Sequence, residues 1–124
     1  MFDHVSLGVA DIARSRTFYD AALKPLGYTR LSDGETSLGY GDQSVALWLG
    51  SSPRPVKADP ESGLHFCFRA PSRAAVDAFH AAAVAAGGKD NGKPGVRTEY
   101  SPDYYAAFAI DPDGYRLEAY TAAA

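Results

Sequence analysis

Three histidines and one cysteine are the side chains of this 124-residue chain best suited to chemistry near neutral pH. His4 and His65 each open a strand-like segment, on the face that carries small or polar residues, where an imidazole can bind a metal or move a proton. His80 follows Phe79 in a helical pattern, so we expect it on a helix surface. Cys67 shares the face of His65. We expect it to line a site rather than act as a nucleophile, because no basic partner or helix N-terminus is evident to lower its thiol pKa.

The elements that must position these side chains can be predicted from local patterns. Residues 2–9 and 64–69 alternate between apolar and polar types, which predicts strands with one apolar face. Asp11 and Ser72 then stand at N-cap positions before helical apolar stripes. A less regular stretch lies at 89–103. The remaining short strands are predicted at 28–31, 36–40, 44–49, 104–110 and 115–120.

The two histidine-bearing strands belong to an internal repeat. At an offset of 61 residues, from position 4 to position 65, residues with the same predicted role recur. Such a repeat indicates a duplicated βα unit rather than two unrelated ones. The matched pairs are His4 with His65, Asp11 with Ser72, Phe18 with Phe79, and Gly27 with Gly88.

Composition restricts the class of partner. The net charge is −3 and no basic cluster is present, which argues against nucleic acid as a partner. No apolar run approaches the roughly 20 residues of a membrane span, and the N-terminus lacks the pattern of a secretion signal. A single cysteine excludes an internal disulfide and a cysteine-based zinc site. The expected location is therefore the cytoplasm.

Motifs at both ends of the chain resemble those of one known family. The opening segment 2–11, then Phe18-Tyr19 and Leu26-Gly27-Tyr28, resembles the start of a glyoxalase-type chain. Segment 108–118, which contains the turn Asp111-Pro112-Asp113-Gly114, resembles that family's last hairpin. With His65 between them, these motifs make the whole chain resemble the glyoxalase/bleomycin-resistance/dioxygenase superfamily, also called the vicinal oxygen chelate superfamily.

The resemblance implies an α+β fold of two βαβββ modules that form a curled, cup-like mixed sheet with helices outside. We expect a single domain over residues 1–124, with module one at about 1–50, a connector at 51–62 and module two at 63–124. The resemblance also implies one divalent metal ion, held by His4, His65 and Glu118. Iron, manganese, zinc and nickel are not distinguished. Two imidazoles and a carboxylate would leave coordination positions open for substrate oxygens.

The reaction expected from the resemblance is chelation of neighbouring substrate oxygens by the metal, with Glu118 as ligand and catalytic residue of partial base character. Whether this serves a lyase, isomerase, transferase or dioxygenase stays open. The alternatives are a metal-free protein that binds a small molecule or drug, as in bleomycin resistance, and a degenerate structural or regulatory subunit. The expected substrate-binding residues are Trp48, Tyr104, Tyr105, Tyr120, Arg69 and Arg116.

Trp48 marks a departure from part of the family, because it occupies the position where glyoxalase I resemblance calls for a fourth, glutamate ligand.

The last expectation concerns assembly. An open sheet leaves unpaired edges, which proteins tend to cover, and the family implies pairing of modules across a twofold axis. The stretch 50–62, which contains the connector, holds three prolines and could reach roughly 40 Å. We therefore expect a homodimer, with exchange of modules between chains left open.

Overall fold

The computed structural model describes residues 1–124 and contains two βαβββ units in chain order, as predicted. A 3-10 turn, Lys24–Leu26, ends the first helix. The stretch predicted to be irregular contains a strand, interrupted by two register shifts. The elements are β1 Val5–Val9, α1 Ile12–Leu23, β2 Thr29–Asp33, β3 Ser37–Gly41, β4 Val45–Ser51, β5 His65–Arg69, α2 Arg73–Ala85, β6 Lys89–Val96, β7 Tyr105–Ile110 and β8 Arg116–Thr121.

Each unit forms its own four-stranded mixed sheet, and neither sheet closes on itself. The strand order is β1-β4-β3-β2 in the first sheet and β5-β8-β7-β6 in the second. The first strand of each unit pairs in parallel with the last strand of the same unit, and the other pairs are antiparallel. This parallel pair brings the opening and closing segments of each unit side by side.

Both helices begin where the sequence predicts. The side chain of Asp11 accepts a hydrogen bond from the amide of Arg14 at 3.1 Å, and Ser72 does the same for Ala75 at 3.1 Å. These bonds satisfy amide groups that the first turn of a helix leaves free. At the end of the first helix, Gly27 adopts φ +91°, a left-handed conformation that favours glycine.

The helices supply the apolar layer between the two sheets. The buried core contains Phe18, Ala22 and Leu23 of α1 and Val76 and Phe79 of α2, and it joins residues of both sheets in one cluster. Burial of these side chains is the main stabilising contribution, at about 25 cal/mol per Å². Neither helix is long and apolar enough to cross a membrane.

The turn between β7 and β8 connects the two units. The buried Asp111 carboxylate accepts a hydrogen bond from the Tyr19 hydroxyl of α1. Asp113 accepts hydrogen bonds from the amide of Ala10 at 2.9 Å and from the Arg14 guanidinium at 3.2 Å. The predicted turn sequence therefore joins the second unit to the start of the first helix.

Candidate functional site

Pairing of β5 with β8 places His65 and Glu118 on one face of the second sheet. Along this parallel pair the Cα partners are His65 with Arg116, Cys67 with Glu118, and Arg69 with Tyr120. Because side chains alternate along a strand, Leu117 faces the core while its neighbours point away from it. We call this second surface the site face. It carries His65, Cys67, Arg69, Phe108, Arg116, Glu118 and Tyr120.

Glu118 is the centre of the site face. The residue as a whole is only 2% exposed, although it is charged and lies outside the apolar core. One carboxylate oxygen, Oε1, lies 2.7 Å from His65 Nε2. The other, Oε2, accepts a hydrogen bond of 2.6 Å from the Tyr104 hydroxyl. A buried carboxylate needs such partners, because an unpaired charge away from water is strongly destabilising.

Two titratable groups next to Glu118, those of Cys67 and Tyr104, have raised pKa values. Partial burial, followed by the nearby negative charge of Glu118, raises the pKa of the Cys67 thiol to about 12. Loss of solvation and the hydrogen bond to Glu118 raise the pKa of Tyr104. Both groups are therefore protonated at neutral pH. This state of Cys67 agrees with the expectation that it lines the site and does not act as a nucleophile.

Aromatic rings form one wall of the site. The Tyr104 ring lies 4.1 Å from that of Tyr120 and 5.0 Å from that of Tyr100, measured between ring centres. The Phe108 ring lies 6.2 Å from the His65 ring. Two of the aromatic residues predicted to bind substrate, Tyr104 and Tyr120, thus meet beside the predicted metal ligands.

Three of the predicted site residues lie elsewhere. Tyr105 points to the helix side of its strand, where its hydroxyl donates to Asp77 at 2.6 Å. Trp48 belongs to the first sheet and packs across Gly39, so closely that a Cβ at this glycine would lie 2.9 Å from the Trp48 ring. His4 precedes β1 and is exposed, with Nδ1 2.6 Å from Oδ1 of Asp3.

Within one chain, the predicted metal ligands form a pair and not a triad. His65 and Glu118 offer one imidazole nitrogen and one carboxylate oxygen in contact, a donor set suited to a divalent transition metal. No three His, Cys, Asp or Glu side chains of the chain come close enough together to hold a metal ion. These two residues fit part of a metal site, and the chain brings no third donor of this kind to them.

Arg97 was not among the predicted site residues, although it borders the site face. Its guanidinium lies over the Phe108 ring, 5.3 Å from the ring centre. The residue follows a glycine- and proline-containing strand without alternation, so no periodic signal indicated its direction. The only available sequence signal was its positive charge close to Tyr104.

The family of this chain follows from its sequence as a whole. Residues 1–119 match the family model for the Glyoxalase/Bleomycin resistance protein/Dioxygenase superfamily. The chain therefore belongs to this superfamily, as its end motifs indicated. No curated protein gives a significant match.

Solved structures with the same fold agree with this assignment. A glyoxalase/bleomycin resistance protein from Albidiferax ferrireducens T118 is 32% identical, with 97% of each chain covered and a TM-score of 0.84. A glyoxalase-related enzyme from Fulvimarina pelagi is 19% identical, with 97% of this chain and 86% of that chain covered and a TM-score of 0.74. A family enzyme from Burkholderia phytofirmans PsJN is 16% identical, with 98% of each chain covered and a TM-score of 0.70. The last two likenesses concern the fold alone.

Proposed function

We propose that this protein is a metal-dependent enzyme that binds a small substrate through two neighbouring oxygens. The observation that carries the proposal is the contact of 2.7 Å between His65 Nε2 and Glu118 Oε1. These two ligands, 53 positions apart in the numbering (65 and 118), meet on a face that is otherwise free of carboxylates. A divalent metal bound there would act as a Lewis acid on the substrate oxygens.

The residues of the chain have separate roles in this proposal. His65 and Glu118 hold the ion, and Glu118 is also the residue assigned to catalysis, with partial base character. Tyr104 and Tyr120 bound the space for the substrate. Arg69 and Arg116 are the cations of the same face. Within one chain, Trp48 and Tyr105 lie away from this face. Their predicted contact with the substrate therefore requires a second chain or a movement that brings them to it.

We assign the third metal ligand to His4 of the partner subunit in a homodimer. In one chain, β1 pairs only with β4, and β5 pairs only with β8, so one edge of each strand is unpaired. A cavity of about 940 Å³ opens between these two strands. Most of its lining is apolar, with Val5, Leu7, Leu23, Phe66 and Phe68 among the lining residues, and His65 also borders it. An apolar opening beside two strand edges is a surface that a second chain would cover.

Metal analysis of variants tests the ligand assignment. The purified wild type should carry close to one divalent ion per site, and His65→Ala should lose most of it, since one of three protein ligands is removed. His80→Ala is the matched control, because His80 lies on α2 and contacts Asp90 at 2.9 Å. Metal content in His65→Ala equal to that of the wild type would exclude the proposed site.

The alternative function, a metal-free protein that binds a small molecule or drug, predicts a different result. In that case the wild type would contain no stoichiometric metal before or after exposure to divalent ions. His65→Ala and the wild type would then be alike in metal content and would differ only in ligand binding. The cytoplasm remains the expected location under both functions.

A further inference from the structure

The site face and its border carry three arginines without a carboxylate partner. In the first unit, the guanidinium groups of Arg14, Arg16 and Arg30 each lie within 3.2 Å of an aspartate oxygen. In the second unit, no ion pair is formed by Arg69, Arg97 or Arg116. The one acidic group on this face, Glu118, is already bound by His65 and Tyr104. The face therefore has an excess of positive charge beside the predicted metal ligands.

Arg97 is held in a defined position on this face. Its guanidinium stacks over the Phe108 ring, and Nη2 donates a hydrogen bond of 2.6 Å to the carbonyl oxygen of Lys93. Two glycines make room for the group. A Cβ at Gly92 would lie 3.4 Å from Nη2 and 2.9 Å from the Phe108 ring, and a Cβ at Gly95 would lie 3.0 Å from Nη1. The remaining N–H groups of Arg97 have no partner in the protein.

Arg116 is a second cation on the site face, on the strand that neighbours that of Phe108. Arg116 pairs with Ile110 across β7 and β8, two residues along each strand from the pair of Glu118 with Phe108, and therefore on the same face. Its Nε is buried and has no hydrogen-bond partner. A buried donor without a partner is rare in native structures and costs free energy unless a ligand or water satisfies it.

We propose that the substrate carries an oxyanion, a carboxylate or a phosphate, on an apolar body, and that Arg97 and Arg116 bind this oxyanion beside His65 and Glu118. The inference rests on the proposed function, since it names the substrate class of the same site. A planar guanidinium donates two parallel hydrogen bonds to such a group. The Tyr104 and Tyr120 rings lie next to Glu118 and provide the apolar wall for the body of the substrate.

Three probes of matched shape test the inference: benzoate, phenyl phosphate and benzyl alcohol. Ligand-observed NMR titrations give their affinities for the wild type as purified and for Arg97→Gln, Arg116→Gln and Arg54→Gln. Arg54 is an exposed arginine of the connector and serves as the control. We expect at least one anion to bind about ten-fold or more tightly than the alcohol. The preferred anion tells a carboxylate substrate from a phosphate substrate.

The variants decide the role of the arginines. Arg97→Gln and Arg116→Gln should each weaken binding of the preferred anion about ten-fold, while Arg54→Gln should bind it like the wild type. Equal affinity of the wild type for alcohol and both anions, or unchanged anion binding in both site variants, overturns the inference. Metal content is measured on the same samples. A wild type without metal that still prefers the anion through Arg97 overturns the proposed metal function and leaves the oxyanion site in place.

Discussion

At the scale of single residues, the site depends on how the two oxygens of Glu118 are occupied. Oε1 faces His65 and Oε2 accepts a hydrogen bond from Tyr104. In the proposed metal site, a ligand held in this way would keep its orientation when the ion binds, because such supporting hydrogen bonds contribute to metal affinity. Tyr104, predicted from the sequence as a pocket wall, therefore also has a positioning role for Glu118.

Tyr104→Phe tests this positioning role. The variant keeps the ring beside Tyr120 but removes the donor to Oε2. We expect a folded protein whose metal affinity is about 10- to 100-fold lower, measured by competition with a chromophoric chelator. Tyr100→Phe is the control, because Tyr100 is exposed and contacts the site only through the Tyr104 ring. Equal metal affinity in Tyr104→Phe and Tyr100→Phe would show that the Tyr104 hydroxyl does not position Glu118 for metal binding.

At this scale, the sequence indicates the direction of a side chain where apolar and polar residues alternate, and gives no direction where they do not. His65 and Glu118 could be predicted to share a surface, because the family places them on strands that pair. Tyr104 and Tyr105 are adjacent, and neighbours in a strand point to opposite faces, so only one of them could line the site face. Arg97 lies beyond a strand with two register shifts, where no alternation indicates direction.

At the scale of elements, the turn between β7 and β8 is as important as the strands that carry the ligands. Oδ1 of Asp111 accepts hydrogen bonds from the amides of Asp113 at 2.9 Å and Tyr115 at 2.8 Å. The Tyr115 hydroxyl donates to the carbonyl of Gly8 at 2.6 Å. The turn was predictable from its sequence. Its contacts with β1 and α1 were not, since they join residues about a hundred positions apart.

Asp111 should make the free energy of unfolding of the protein depend on pH. Burial raises its pKa, although the hydrogen bonds from Tyr19 and from two backbone amides oppose part of this change. Between the unfolded value of about 3.9 and the raised native value, the native state binds the proton more tightly than the unfolded chain. The contribution of Asp111 to the free energy of unfolding therefore falls as the pH rises through this window.

Urea unfolding of the wild type and Asp111→Asn at several pH values measures this contribution. We expect the wild type to be more stable than the variant by about 1–3 kcal/mol near pH 4, because the variant weakens a buried hydrogen-bond network. The margin should become smaller towards pH 7, as the wild-type carboxyl loses its proton in the native state. The exposed Asp103→Asn controls for the change of charge. A margin that grows with pH contradicts the raised pKa.

At the scale of the whole molecule, the predicted metal ligands are divided between the two units of one chain, with His4 before β1 and His65 with Glu118 on β5 and β8. The fold and its division into two βαβββ units were predicted correctly from the repeat and from the end motifs. The separation of His4 from His65 and Glu118 could not be predicted in the same way. The repeat determines how each unit folds, but the same two units can pair within a chain or between chains.

Complementation between two variants that each lack one predicted metal ligand tests the shared metal site most directly. His4→Ala and Glu118→Ala should each bind little metal alone. In a mixed dimer one site contains both substitutions and the other contains neither. Refolding the two together and measuring metal by plasma mass spectrometry should restore about a quarter of the sites with random pairing, and up to about half if only mixed dimers form. No restoration in a sample that light scattering shows to be dimeric would contradict a site built from His4 of one subunit and His65 with Glu118 of the other.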